Sequence, residues 1–558
     1  MNLKIKLSLL FLLVINFGSW ATININIRQF GAVNDGTKLN TIILQAAIDS
    51  CYHMGGGTVV FPKGNYLTGT IVLRTNVILH FEADAVLLGS KNLSDYKFSE
   101  AFLAEKNQYA DINGKALIYA FDSKNISITG QGTIDGQGQF FEAMSRQESI
   151  PVFRGEAVAK KVYPGRPKLI EMIRCNNINI KGIQAQNSAG WGIHLLGCES
   201  VFIDQLRLNS HVRPNNDGID IESCKTVFIS NTSIYSDDDA ICFKSSIEGL
   251  PVENVVVTNC LLRSNCAAIK FGTSSAAGFK NIAISNCAIY DCAQGAIKFM
   301  AVDGGIVEDI SISNITMHNV EGPIFMRLGN MGRKVHINGF EGYHQTAKEV
   351  SPVGIMRNIR ISGITATMKT VEIQDSMLRV AWDEMAVLGI LITGIPGHRI
   401  EDVTFNDIQL IYPGGGTKEH ALNKVPENED MYPEQHFFGI LPSYGAYVRH
   451  AKGIVFNNVR FKLANQDFRP AIVTDDVENL ELVNVSAEVN KETEAIVRMV
   501  DTKNVLISNC RSLSTANAFL KIEGKKSGDV LMLSNDFRKV NKPYILDKNV
   551  SSKEVRIK

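Results

Sequence analysis

Five aspartates crowd the stretch from Asn215 to Lys244: Asp217 and Asp220 in NNDGID, and Asp237, Asp238 and Asp239 in SDDDAICFK. The two segments overlay, with Asp217 on Asp239, Gly218 on Ala240, Ile219 on Ile241 and Ile221 on Phe243. A repeat of this kind sets acids beside acids. Like charges so placed cost free energy unless they share protons, bind a cation or face a substrate. Three chemistries fit. Cleavage of a glycosidic bond needs one carboxylic acid to protonate the departing oxygen and a carboxylate to activate water. Calcium takes oxygen ligands from such clusters, and an Asp-rich turn can also be simply solvated. Rungs about 4.8 Å apart would bring Asp217 close to Asp239, with Asp238 turned differently, and mutual repulsion would spread their pKa values.

The elements that must carry these acids are legible. From Asn125 onward one pattern recurs as NISITGQGTIDG, NINIKGIQAQ, TVFISNTSI, NVVVTNCLL, NIAISNCAI, DISISNITM and, near the end, NVLISNC. Asn231, Asn259, Asn286 and Asn314 are 28, 27 and 28 residues apart. Short alternating strands at a fixed period are a solenoid signature. Coils of about this length predict an all-β right-handed parallel β-helix, with the Asn residues in a ladder at one turn; a leucine-rich repeat would need fixed leucines and an outer helix. A second strand repeats as GIHLL, GIDIE, AICFK, AIKFG, AIKFM and PIFMR. Alternation then points Ile193, Ile219, Ile241, Ile269, Ile297 and Ile324 inward. The outward column reads His194, Asp220, Cys242, Lys270, Lys298 and Phe325, with Arg327 two residues further on. Stacked cations beside acids suit a sugar carboxylate or sulfate, which makes Lys270 and Lys298 candidate ligands.

Apolar residues at helical spacing from Leu39 to His53, stopped by Gly55, Gly56 and Gly57, predict one short helix capping the N-terminal end of the stack. Lys4 and Lys6, an apolar run from Leu7 to Phe17 and small residues at Ser19 and Ala21 predict a signal peptide over residues 1–21. One β-helix domain is expected over 22–558, with the cap and first coils in 22–120. Periodicity breaks at about 328–352, at about 367–379 and in a long block, 411–447, rich in aromatics, Pro and Gly; such excursions are expected to wall a groove. No later run is long and apolar enough to span a bilayer, so a secreted or periplasmic protein is expected. With 57 basic and 57 acidic residues the chain has no polyanion-binding signature, which argues against nucleic acid. The ten cysteines sit mostly at repeat positions, where buried free thiols are expected, with Cys260–Cys266 and Cys287–Cys292 the possible bridges. A monomer without cofactor or bound metal is expected.

In these residues the sequence resembles the family 28 glycoside hydrolases, the polygalacturonase family. The motifs are FGAVNDG and GGGTVVFPKGNYLTG near the start, GQGTIDGQG at Gly130, RPKLI at Arg166, NSAGWGIH at Asn187, NNDGID at Asn215 and SDDDAICFKS at Ser236. The resemblance implies a pectin-lyase-like right-handed β-helix and hydrolysis with inversion of an acidic, galacturonic-acid-containing polysaccharide or its oligosaccharides. It implies Asp238 as general acid and Asp217 and Asp239 as the residues that hold and activate water, and it sets His194 and Lys244 on family positions; the outward column adds Asp220, Lys270, Lys298 and Arg327, and these six are the substrate-binding candidates. Two segments depart from the family pattern. Its Gly-His-Gly falls on Cys266, Ala267 and Ala268, and its Arg-Ile-Lys has become Ala-Ile-Lys at Lys298. The second half, from GIPGHRIEDVTF to RPAIVTDDVENLEL, is similar to a subgroup found in glycan-foraging bacteria, and its long loops suggest exo action. A β-helix lyase or epimerase, with Lys, Arg or His as base, and a non-catalytic glycan-binding β-helix are the other readings.

Overall fold

A computed structural model describes residues 23–98, 114–143, 165–330, 352–369 and 389–558. The expected signal peptide and most of the excursions at 328–352 and 367–379 lie outside the described residues. The described residues form 39 strands, and every ladder between them is parallel. It is a parallel β-helix, whose right-handed sense follows the general rule for parallel crossovers. One coil reads Ile219–Glu222, Lys225–Ser230 and Ser233–Ser236, and each strand pairs with its counterpart one turn later, in Ile241–Ser245, Val252–Thr258 and Leu261–Ser264.

The inward column is as expected: Ile193, Ile219, Ile241, Ile269, Ile297 and Ile324 are paired in register and buried. Burying each such side chain contributes about 1.5–3 kcal/mol. Phe243, Phe271 and Phe299 stack next to them at centroid distances of 4.7 and 4.6 Å. Asn231, Asn259, Asn286 and Asn314 all have φ between 52° and 57°, left-handed backbone that Asn tolerates. Their amides run from rung to rung, Asn259 donating to Asn231 and Asn314 to Asn286. All ten cysteines are free and buried, so neither possible bridge forms.

The expected helix spans Thr41–His53 and buries Leu44, Ala47, Ile48 and Cys51 against the first strands. Among the described residues no helix is long and apolar enough to cross a membrane. Between the strands Ile400–Tyr412 and Ala446–Leu463, the long excursion is ordered around two short 3-10 turns, His420–Leu422 and Gln435–Phe438. Its Phe438 and Leu441 pack with Met300, Phe325, Leu391, Tyr447 and Val473 in a second apolar cluster on the outer face of the sheet.

Candidate active site

The outward column holds the site. Glu171, His194, Asp220, Cys242, Lys270 and Lys298 lie in direct register on successive rungs. Just before each strand, backbone bonds from Gly192 to Asp217, Gly218 to Asp239 and Ala240 to Ala267 set a second row: Trp191, Asp217, Asp239, Ala267. The overlay of NNDGID on DDDAIC in the sequence is therefore a spatial register. Carboxylate oxygens of Asp217, Asp238 and Asp239 lie within 4.8 Å of one another.

Each acid has a different environment. Asp239 is buried; burial alone would raise its pKa, but Lys270, with Nζ 2.9 Å away, overcomes this and holds the carboxyl below its ordinary value. Asp239 Oδ1 also accepts the Ala267 N–H at 3.3 Å. Asp238 is half-buried, and burial together with the Asp217 and Asp239 carboxylates pushes it up to about 7. Its Oδ1 accepts the Asp239 N–H at 2.9 Å and its Oδ2 accepts Asn215 Nδ2 at 3.2 Å. Arg166 bonds the carbonyls of Ala189 and Pro214 and reaches Asn215 Oδ1, fixing the turn that presents that amide. Asp217 is pushed well up by burial and by Asp220. Burial also raises Asp220, to about 6, against the pull of Lys244 and of a hydrogen bond with Asp217. Lys244 Nζ bonds both, reaching Asp217 Oδ2 at 3.2 Å and contacting Asp220 Oδ1. The site therefore offers one ionised carboxylate, Asp239, beside one accessible acid poised to give up a proton near neutrality, Asp238.

The remaining candidates are less exposed than expected. His194 has no exposed surface: Lys168 lies 2.8 Å from its Nδ1, Glu222 2.8 Å from its Nε2, and Trp191 edge-on at 5.0 Å. It cannot touch a sugar here and instead braces the floor. Lys168 and His194 hold the buried Glu171 down at about 2 in spite of its burial. Lys244 sits 3.6 Å over the half-buried Trp191 ring. Lys270 and Lys298 were expected to await an anionic sugar group. Lys270 is instead spent on Asp239, and Lys298 Nζ lies 2.5 Å from Glu434 of the long excursion. Arg327 faces no groove: fully buried, it bonds Thr393 Oγ1 and the carbonyls of Gly394, Glu427 and Asn428, clamping the excursion to the sheet. Arg449 does the same through the carbonyls of Val425 and Pro426.

Glu434, Arg166 and the Glu171–Lys168–Glu222 support were missed by the sequence reading. Glu171 had a signal, since it stands at the outward position of its strand; Glu434 had none, because it comes from outside the repeat. By distance alone, two groups among the described residues could hold a cation: Asp217, Asp238 and Asp239, or Asp217, Asp220 and Cys242. Lys244 and Lys270 already bring positive charge to both.

The family model described as glycosyl hydrolases family 28 matches residues 58–428. A probable polygalacturonase of Vitis vinifera is 28% identical over 390 residues, 65% of this chain and 77% of that protein. An exo-poly-alpha-D-galacturonosidase of Dickeya chrysanthemi is 27% identical over 338 residues, 53% of this chain and only 55% of that enzyme. Among solved structures, an exopolygalacturonase from Thermotoga maritima superposes with a TM-score of 0.57 at 20% identity, over 79% of this chain and 92% of that one. The family 28 exopolygalacturonase of Yersinia enterocolitica gives 0.59 at 20% identity, over 83% and 79%. At that identity the structural likeness speaks for the fold.

Proposed function

The chain belongs to the glycosyl hydrolases of family 28, and we propose that it hydrolyses an acidic, pectin-like polysaccharide containing galacturonic acid, or its oligosaccharides, with Asp238, Asp217 and Asp239 doing the chemistry. The observation that carries this reading is the difference between two adjacent acids: Asp238 is half-buried with a pKa near 7, while Asp239 is held ionised by Lys270. Asp238 donates its proton to the glycosidic oxygen as the C1–O bond breaks. Asp239 accepts a proton from the water that forms the new C1–O bond, and Asp217 orients that water. Solvent then returns the proton to Asp238. General acid and base assistance of this kind is worth roughly 10²–10⁴-fold each.

The nearest oxygens of the three acids are closer than the ~6.5–9.5 Å usual for an inverting pair. Inversion is supported here by the lysines: Asp239 and Asp217 each commit an oxygen to an ammonium group, which makes them better holders of water than nucleophiles at C1. Proton NMR of the first product decides it, since an anomer of opposite configuration supports inversion and one of retained configuration overturns it. The names of the Dickeya, Thermotoga and Yersinia proteins, together with the long excursion 413–445, support exo action. The leader-like N-terminus supports an exported, secreted or periplasmic enzyme, and we read it as a monomer. The test is release of reducing ends from polygalacturonate and mixed pectic oligosaccharides by the wild type and by Asp238→Asn. Loss of about 10³-fold in turnover with unchanged substrate binding is expected; full activity in the variant refutes the assignment.

A further inference from the structure

Beyond Asp239 the second row continues with Ala267 and Gly295, which leave space above Lys270 and Lys298. The excursion fills it. Glu434 lies with Oε2 2.5 Å from Lys298 Nζ and Oε1 4.0 Å from Lys270 Nζ. A Cβ on Gly295 would come within 3.2 Å of Gln435 Oε1 and 3.3 Å of Lys298 Cε, so the glycine is part of the fit. The lysine side chains are 9% and 1% exposed and that of Glu434 is 14% exposed. The surface thus presents a carboxylate lying over two cations, and the two positive charges are matched by Asp239 and Glu434.

Glu434 is held from both sides. Tyr432 Oη lies 3.0 Å from Thr273 Oγ1, Gln435 Nε2 donates to the Gln294 carbonyl at 2.9 Å, and Phe438 is buried in the apolar cluster. Arg327 and Arg449 grip the backbone from Val425 to Asn428. A substrate carboxylate seated here would meet the fixed charge of Glu434, and among the described residues the two cations at this place are already paired with Asp239 and Glu434, so like charges would be brought together at a cost in affinity. An uncharged ring has no such penalty, because its hydroxyls can donate to Glu434 and accept from the lysines.

We propose that Glu434 is a specificity-determining residue that makes this part of the groove select an uncharged sugar unit. The substrate class is then a mixed chain, in which the unit seated beyond Asp239 carries neither carboxylate nor sulfate and the acidic units lie elsewhere. This rests on the glycosidase reading given above. The test uses the full chain with Asp238→Asn to stop turnover, titrated calorimetrically with trigalacturonate and with an alternating rhamnose–galacturonate oligosaccharide of similar length. The alternating probe should bind at least about tenfold tighter. Adding E434Q should tighten trigalacturonate by about tenfold and leave the alternating probe within about threefold. Equal affinities with Glu434 present, tighter binding of trigalacturonate, no binding of either probe, or an unchanged ratio in E434Q would overturn the proposal. If E434Q does not fold, K298M serves instead: it removes the nearer of the two cations beside Glu434 and should weaken trigalacturonate selectively, and an unchanged ratio is again fatal. Wild-type turnover of both probes is scored separately. A chain that cleaves neither has failed as a pectic hydrolase, whatever the binding ratio says about Glu434.

Discussion

Two halves of one outward column behave in opposite ways on the same scaffold. From Glu171 to Lys298 every residue on it is ionisable and, although buried, each is engaged with an opposite charge or a hydrogen-bond partner. From Phe325 the same register continues through Leu391, Tyr447 and Val473, and these side chains receive Phe438 and Leu441 of the excursion. The inward column stays buried and apolar in both halves, continuing through Ile390, Ala446 and Ile472, and the ladder stays parallel. The coil therefore sets where a side chain points, and the outward residue alone decides whether a rung does chemistry or docks a loop. Glu434 joins the halves, because it is carried by a loop fastened to the apolar half and delivers its charge to the ionisable one.

Each half can be disabled separately. The largest effect is expected in the ionisable one: Asp239→Asn removes the base and should lower kcat by about 10²–10⁴-fold while KM stays within a few-fold. Equal losses in thermal stability and activity would mean that Asp239 is structural. In the apolar half, Phe438→Ala should cost about 3–5 kcal/mol of docking energy. Limited proteolysis should then cut within residues 413–445 while the circular dichroism of the coils is retained, and KM should change more than kcat.

The pH dependence separates the two acids. Asp238 must be protonated to work, so kcat/KM should fall as pH rises through about 7, while Asp239, held ionised, extends activity well into the acidic range. The same shift bears on stability. With its folded value raised above the ordinary 3.8, Asp238 keeps its proton in the folded chain, so its contribution declines as pH rises from about 4 to about 7. Asp238→Asn should remove that slope and raise the melting temperature at pH 8 by on the order of 1 °C. The smallest effect is expected from chelation: with Lys244 and Lys270 supplying the positive charge, EDTA should change activity less than about twofold, and no product absorbing near the ultraviolet edge should form. Abolition by EDTA would favour a calcium-dependent lyase.

The coil was legible because its information is local and repeated. The Asn turns, the inward isoleucines and the outward column all follow from period-2 alternation and a regular rung length, and the acids followed once their two segments were laid in register. What a buried side chain meets was not legible. His194 and the lysines stand where alternation puts them, but Glu222 and Glu434 decide whether they remain available, and Glu434 is 136 residues from Lys298. Arg327 looked like a ligand because it is charged and outward; the carbonyls that claim it belong to an excursion whose docking position no repeat encodes.

The central claim is that Asp238 is the proton donor to the departing oxygen, and it is tested most directly by changing how much that oxygen needs the proton. The Asp238→Asn variant and the wild type should be compared on a pectic oligosaccharide and on an aryl galacturonide whose phenolate leaves without protonation. The account predicts a loss of about 10³-fold on the first and less than about tenfold on the second. Equal losses on both substrates would contradict it.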